Sequence, residues 1–219
     1  VAAADPYTAK LLELYLKIYN DASSPAQTAD RLGIHRSDYM LHRQSEHEPY
    51  VIKQVELNTI AASFAGLSCQ VASMHRYLVQ RFDVSDFLLE KQQAVSGGNE
   101  TPKKDAAGVP VNPTLDRLPF AINVAFQRYQ SRHDVSKACV LFVVQQGESN
   151  TVDQRLLEFK LFEEHKIPVV RLSLREIYEA VQLDETTGKL TISDTEIAVV
   201  YFRAGYAPTD YPDGDSGVE

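Results

Sequence analysis

"ACVLFVVQ", residues 138–145, followed at once by "QGESN", is the stretch on which the fold turns. It is a continuous apolar run, rich in β-branched and aromatic side chains, too short for a core helix and closed by Gly147, so it reads as a buried strand. "DQRLLEFKLFEEHK" (153–166) then has helical texture, and "IPVVRLS" (167–173) is a second short strand. Strand, loop, helix, strand at this spacing is a βαβ unit. It predicts a parallel sheet covered by helices, because parallel neighbours need a crossover.

Working toward the carboxyl end, "SLREIYEAV" predicts a helix, "KLTISDTE" a hairpin, and "IAVVYFRAGY" a last buried strand with Arg203 near its end. Ligands of open parallel sheets sit beyond the carboxyl ends of the strands. Both "QQGESN" (145–150) and "FRAGY" (202–206) fall there.

Working toward the amino end, "LPFAINVAFQRYQSR" (118–132) reads as a helix, and residues 93–113, dense in Gly, Pro and charge, as an exposed insertion. "GLSCQVASMHRYLVQRF" is a helix with a small-residue start. "RLGIHRSDYMLHRQ" and "PYVIKQVELNT" are two strands joined by a polar turn. "DPYTAKLLELYLKIYND" is an amphipathic helix with Leu11, Leu12, Leu14, Tyr15, Ile18 and Tyr19 on one side and Asp5 and Pro6 as start signals. The expected organisation is residues 1–134, helices and antiparallel strands, followed by 135–219, a parallel α/β domain.

The 219 residues are 44% hydrophobic and 24% charged, with 22 Lys plus Arg against 30 Asp plus Glu, a formal charge of -8. That field repels polyanions and argues against nucleic acid. No apolar run approaches the roughly 20 residues of a membrane span. Cys69 and Cys139, both among apolar or small neighbours, fit reduced thiols and a cytoplasmic setting. The chain opens on Val1 and stops in "DYPDGDSGVE". It is expected to be a piece of a longer protein.

Four groups of residues could carry chemistry. Glu56 and Asn58 share a strand face by period 2 and offer hard oxygen ligands suited to Mg²⁺; a solvent-facing strand edge fits them as well. "TIAASFAGL" after them would let backbone approach a ligand, or would pack a helix closely on a sheet. Arg36 and Arg203 lie against apolar strand sequence, where a guanidinium needs a carboxylate. That partner is either a substrate or an internal acid, with Asp38 available to Arg36. Glu148, Asn150 and Gln154 surround a helix start, where Asn150 or Thr151 would simply cap the helix, or where a polar pocket at the strand's carboxyl end would leave Glu148 free for a substrate ammonium. The six histidines assemble no ligand set, and neither a phosphate loop nor a nucleophile elbow occurs.

"LGIHRSDYM", "KQVELNTIAASFAGL", "ESNTVDQR" and "EIAVVYFRAGY", in this order, resemble eukaryotic-type glutathione synthetase over residues 28–208. The resemblance implies an ATP-grasp ligase that joins γ-glutamylcysteine to glycine, with ATP as co-substrate, Mg²⁺ as cofactor and a homodimer as the assembly. It implies Glu56 and Asn58 as metal ligands, Glu56 also near the nucleotide phosphates. It further implies that Arg36, Ile60, Ala61, Ala62 and Ser63 hold the dipeptide, and that Glu148, Ser149, Asn150 and Gln154 hold its γ-glutamyl end. Arg203, Ala204, Gly205 and Tyr206 then form the last substrate turn. No residue is expected as a protein nucleophile, since such chemistry rests on positioning and charge neutralisation.

Two positions depart from the family pattern. Ala61 stands where the motif "NTISASF" has serine, and Ala204 stands where "YFRDGY" has aspartate. The resemblance also implies ATP-binding lysines, a Gly-rich lid and a third acidic metal ligand, none of which is recognised in this chain. The chain alone is therefore expected to bind the dipeptide weakly and to form no product. A non-catalytic dipeptide-binding module, or a ligase using another amine such as β-alanine, also fits these residues.

Overall fold

The computed structural model describes residues 5–20, 24–27, 29–84 and 108–211. Helix α1 spans Pro6–Tyr19, and strands β1 (Arg36–His42) and β2 (Val51–Asn58) pair antiparallel as a separate two-stranded sheet. Helices α2 (Ala65–Arg81) and α3 (Thr114–His133) precede β3 (Ala138–Val143), α4 (Thr151–His165) and β4 (Val169–Leu172). Then come α5 (Leu174–Ala180), β5 (Val181–Asp184), β6 (Lys189–Ile192) and β7 (Thr195–Phe202).

The second sheet runs in the order β4-β3-β7-β6-β5. Its β4-β3-β7 portion is parallel, as the βαβ reading predicts, and β6 and β5 extend it antiparallel. The α/β class therefore holds, with a mixed sheet in place of a purely parallel one. All six residues of β3 are buried, which is why its sequence is continuously apolar rather than alternating. Val140, Phe142 and Val144 face Ile122 and Phe126 of α3 and Leu157 and Leu161 of α4. Cys139, Leu141 and Val143 face the opposite side, with Ile197 and Ala204. Removing the Phe142 ring would cost about 3–5 kcal/mol, transfer and cavity together.

Several expectations change. Asp5 does cap α1, accepting from the Tyr7 and Thr8 amides. Yet only Tyr7 of α1 is buried, and Leu12, Tyr15, Leu16 and Ile18 stay exposed, because no described element covers that face. The β1–β2 hairpin is equally bare, with Leu41 and Ile52 each 70% exposed.

Helix α3 starts at Thr114 rather than Leu118, with Asn112 Oδ1 accepting from the Thr114 amide and hydroxyl. Val181 belongs to an edge strand, not to the preceding helix. Of the expected exposed insertion, residues 93–107 lie outside the described residues. Within 108–113, Gly108 and Val109 are buried, Val109 against Val79, and Asn112 donates to Ser68 of α2, while Pro110, Val111 and Pro113 are exposed.

Candidate functional site

The hairpin gathers the first group of candidates. Arg36 and Asp38 sit across from Asn58 and Glu56, and the register then shifts between Asp38 and Tyr39, where Val55 of β2 is left without a partner. Arg36 forms a two-point bond to Asp38, Nε to Oδ1 at 2.8 Å and Nη2 to Oδ2 at 2.9 Å. This guanidinium holds the Asp38 carboxyl below its ordinary range, and Asp38 in turn raises Arg36. The internal partner named as an option for Arg36 is the one it uses. Its Nη1 also reaches Ser63 Oγ at 3.5 Å, and Glu56 Oε1 lies 3.9 Å from Nη2.

Asn58 Nδ2 donates to Glu56 Oε1 at 3.0 Å and to Asp38 Oδ2 at 3.2 Å. Its nitrogen faces two carboxylates, which directs the amide oxygen away from them. Among the described residues no three His, Cys, Asp or Glu side chains converge.

After β2 the backbone is strained. Ala61 and Phe64, neither of them glycine, take positive φ of 52° and 74°. This conformation is held from a distance. The buried carboxylate of Asp153, in the first turn of α4, accepts from the amides of Phe64 (3.0 Å), Gly66 (2.9 Å) and Leu67 (3.0 Å). It thus caps α2 in place of any local side chain, answering the orphan amides and positive end of that helix. Gly66 permits the approach, since a Cβ there would lie 2.9 Å from Leu156 Cβ and 3.2 Å from the Asp153 carbonyl oxygen.

The same Asp153 carboxylate pairs with Arg203 Nη2 at 3.1 Å, with both side chains shut off from solvent. Arg203 is therefore internally paired. Its Nε and Nη1 are buried without a hydrogen-bond partner, as are Gln154 Oε1 and Tyr201 Oη. Arg171 of β4 is largely buried beside Glu158 at 4.0 Å, and burial lowers its pKa.

Glu148 is not idle. Its Oε1 accepts from the Asn150 amide and its Oε2 from Gln154 Nε2, each at 2.6 Å. Asn150 makes no side-chain cap, so the simple capping role is replaced by this Glu148 brace. Ser149 and Ile60 are exposed, while Ala62 is buried.

Ala204 turns its methyl into the apolar cluster on the sheet's other face, away from the Arg203–Asp153 pair. Gly205, at φ +99°, and the half-exposed Tyr206 complete the turn. The candidates thus form one connected run from the hairpin through Ser63 and Phe64 to Asp153 and Arg203. Asp153 and Arg171 are additions. Asp153 sits inside "ESNTVDQR", and no local signal there marks partners that lie 86 to 89 residues earlier.

The model of the eukaryotic glutathione synthase ATP-binding domain matches residues 1–197. The chain belongs to this family. It is 36% identical to a chloroplastic glutathione synthetase of Solanum lycopersicum over 208 residues, which are 95% of this chain and 33% of that protein. It is also 36% identical to the Dictyostelium discoideum glutathione synthetase, covering 94% of this chain and 39% of the relative. Against the Homo sapiens glutathione synthetase the identity is 34%, over 94% and 38%. The chain thus spans well under half the length of these curated relatives. A glutathione synthetase-like effector of Globodera pallida shares the fold, at a TM-score of 0.59 and 20% identity over 80% of this chain and 37% of that one.

Proposed function

We propose that this glutathione synthase family chain forms the dipeptide side of an ATP- and Mg²⁺-dependent ligase that joins γ-glutamylcysteine to glycine. The observation that carries the reading is Arg203: a buried guanidinium with one carboxylate partner and two donor nitrogens unanswered, at the carboxyl end of the central parallel strands. An ordinary structural arginine buried to this extent uses its donors. A ligand carboxylate placed there would answer them, and Gln154 Oε1 with Glu148 would receive an ammonium from the same amino-acid end. Arg36, Ile60, Ala61, Ala62 and Ser63 would hold the cysteinyl portion, Ala204 only through its backbone. Ser149, Asn150, Gly205 and Tyr206 would close the γ-glutamyl end.

Glu56 and the outward oxygen of Asn58 fit Mg²⁺, a hard cation that keeps several waters and accepts few protein ligands. Asp38 is committed to Arg36 and is left out of that set. When bound, the ion would neutralise phosphate charge. The cysteinyl carboxylate would take the γ-phosphoryl group of ATP, and the glycine amine would displace phosphate from the acyl carbon. This chain's own task is to orient the carboxylate and exclude water. The full protein would act as a homodimer in a reducing compartment, cytoplasmic as the two free thiols suggest.

The test is ADP release by the full-length protein carrying this chain, with γ-glutamylcysteine, ATP and Mg²⁺ and with glycine, β-alanine or serine in competition. Turnover that needs the dipeptide and prefers glycine supports the reading. Preference for β-alanine makes it a different ligase, and dipeptide binding without ADP release makes it a binding module.

A further inference from the structure

The turn after Arg203 is held by side chains outside the candidate set. Asp210, closing the short 3₁₀ turn Pro208–Asp210, directs Oδ2 at three successive amides: Gly205 at 2.8 Å, Tyr206 at 3.1 Å and Ala207 at 3.2 Å. Successive amides converging on one carboxylate form a nest that fixes the backbone torsions between them. Its other oxygen, Oδ1, accepts from Gln145 Nε2 at 3.0 Å, and that same nitrogen donates to the Tyr206 hydroxyl at 3.0 Å. Gln145, just past the end of β3, thereby ties the Tyr206 ring to Asp210. From the opposite side the Gly205 carbonyl oxygen accepts from Tyr7 Oη at 3.0 Å and Tyr211 Oη at 3.1 Å, the two rings packed edge to face. Gly205 alone can take the φ of +99° that this turn requires.

Arg203 itself does not depend on this scaffold, because its amide bonds to the Val143 carbonyl at 2.8 Å and its guanidinium to Asp153. What the scaffold fixes is Gly205, Tyr206 and Ala207, and with them the placement of a half-exposed tyrosine. We infer that Asp210 is a positioning residue for the substrate turn, presetting Gly205–Ala207 and, through Gln145, the Tyr206 ring, in the turn to which the proposed function gives the γ-glutamyl end of the dipeptide. This rests on the ligase reading above. A turn set in advance spares the ligand the entropy of ordering it, so the effect falls on substrate affinity rather than on the chemical step.

The experiment compares wild type, Asp210→Asn and Asp210→Ala in the full-length protein by steady-state kinetics and amide hydrogen exchange. Asp210→Ala should raise the KM for γ-glutamylcysteine about tenfold while kcat and the KM for ATP stay within about threefold. Asp210→Asn, which keeps an acceptor oxygen but loses the charge, should fall between. The Gly205–Ala207 amides should exchange faster in Asp210→Ala, with those of β3 unchanged. Unchanged exchange in the turn overturns the claim that Asp210 holds it. Faster exchange with an unchanged dipeptide KM, or a parallel rise in the KM for ATP, overturns the positioning role. A wild type without dipeptide-dependent turnover removes the ligase reading and the substrate half of this inference with it, while the exchange arm still decides whether Asp210 holds the turn.

Discussion

Asp153 and Arg203 meet at 3.1 Å in the interior, and the same carboxylate accepts the amides that open α2. One side chain thus joins the start of α2, the first turn of α4 and the residue that follows β7. The two arms of the candidate site cannot move independently while it is in place.

Removing either partner should be costly, because the other is left buried and charged. Asp153→Leu and Arg203→Met are each expected to lower stability by about 3–5 kcal/mol, with the double variant less destabilised than the sum of the two. Urea unfolding of the four proteins checks this. Additive losses would mean that the pair is not coupled.

Gly66→Ala places a methyl 2.9 Å from Leu156 Cβ, so α2 and α4 must part. The expected loss is about 1–3 kcal/mol, together with faster exchange of the Phe64, Gly66 and Leu67 amides as Asp153 draws back. Leu156→Ala in the same chain removes only the Cδ1 contact at 2.8 Å and should not restore full stability, since the residue 156 Cβ at 2.9 Å and the Asp153 carbonyl oxygen at 3.2 Å remain.

If the proposed ligase reading holds, Glu56→Ala in the full-length protein is expected to cut Mg²⁺-dependent turnover by about 10²-fold or more while leaving the circular dichroism spectrum and melting point near wild type. The carboxylate is exposed and supports no core packing. Titration of activity against Mg²⁺ separates lost metal affinity from lost turnover, and a wild-type curve would return Glu56 to a plain strand edge.

Asp38 carries the hairpin's pH dependence. Its folded pKa lies below the ordinary carboxylate value, chiefly through the hydrogen bond from Arg36. Its stabilising contribution is therefore present above the unfolded pKa and is lost as pH falls through the folded one. Arg36→Met should move the Asp38 titration up toward its ordinary value, as read by carboxyl NMR. Asp38→Asn should flatten the acid limb of stability. An unshifted Asp38 titration in Arg36→Met would exclude the guanidinium as the cause.

The sequence by itself determined the local elements and the chemistry along each of them. The unbroken apolar run at β3 fixed a buried central strand, and its spacing to "IPVVRLS" fixed the parallel crossover. Period 2 placed Glu56 and Asn58 on one face, and Asp38 stood close enough in the chain to be named for Arg36. What lay beyond reach were the relations that depend on side chains brought together from distant positions. Asp153 caps a helix that begins more than eighty residues earlier, and Tyr7 donates to Gly205 across 198 residues. The exposed face of α1 belongs with these: periodicity gives an apolar stripe but not its cover, and within the described residues only Tyr7 finds one. Ala204 makes the same point on a smaller scale. The motif set it beside Arg203, and the bend that follows β7 sent its methyl into the apolar cluster on the opposite side of the sheet.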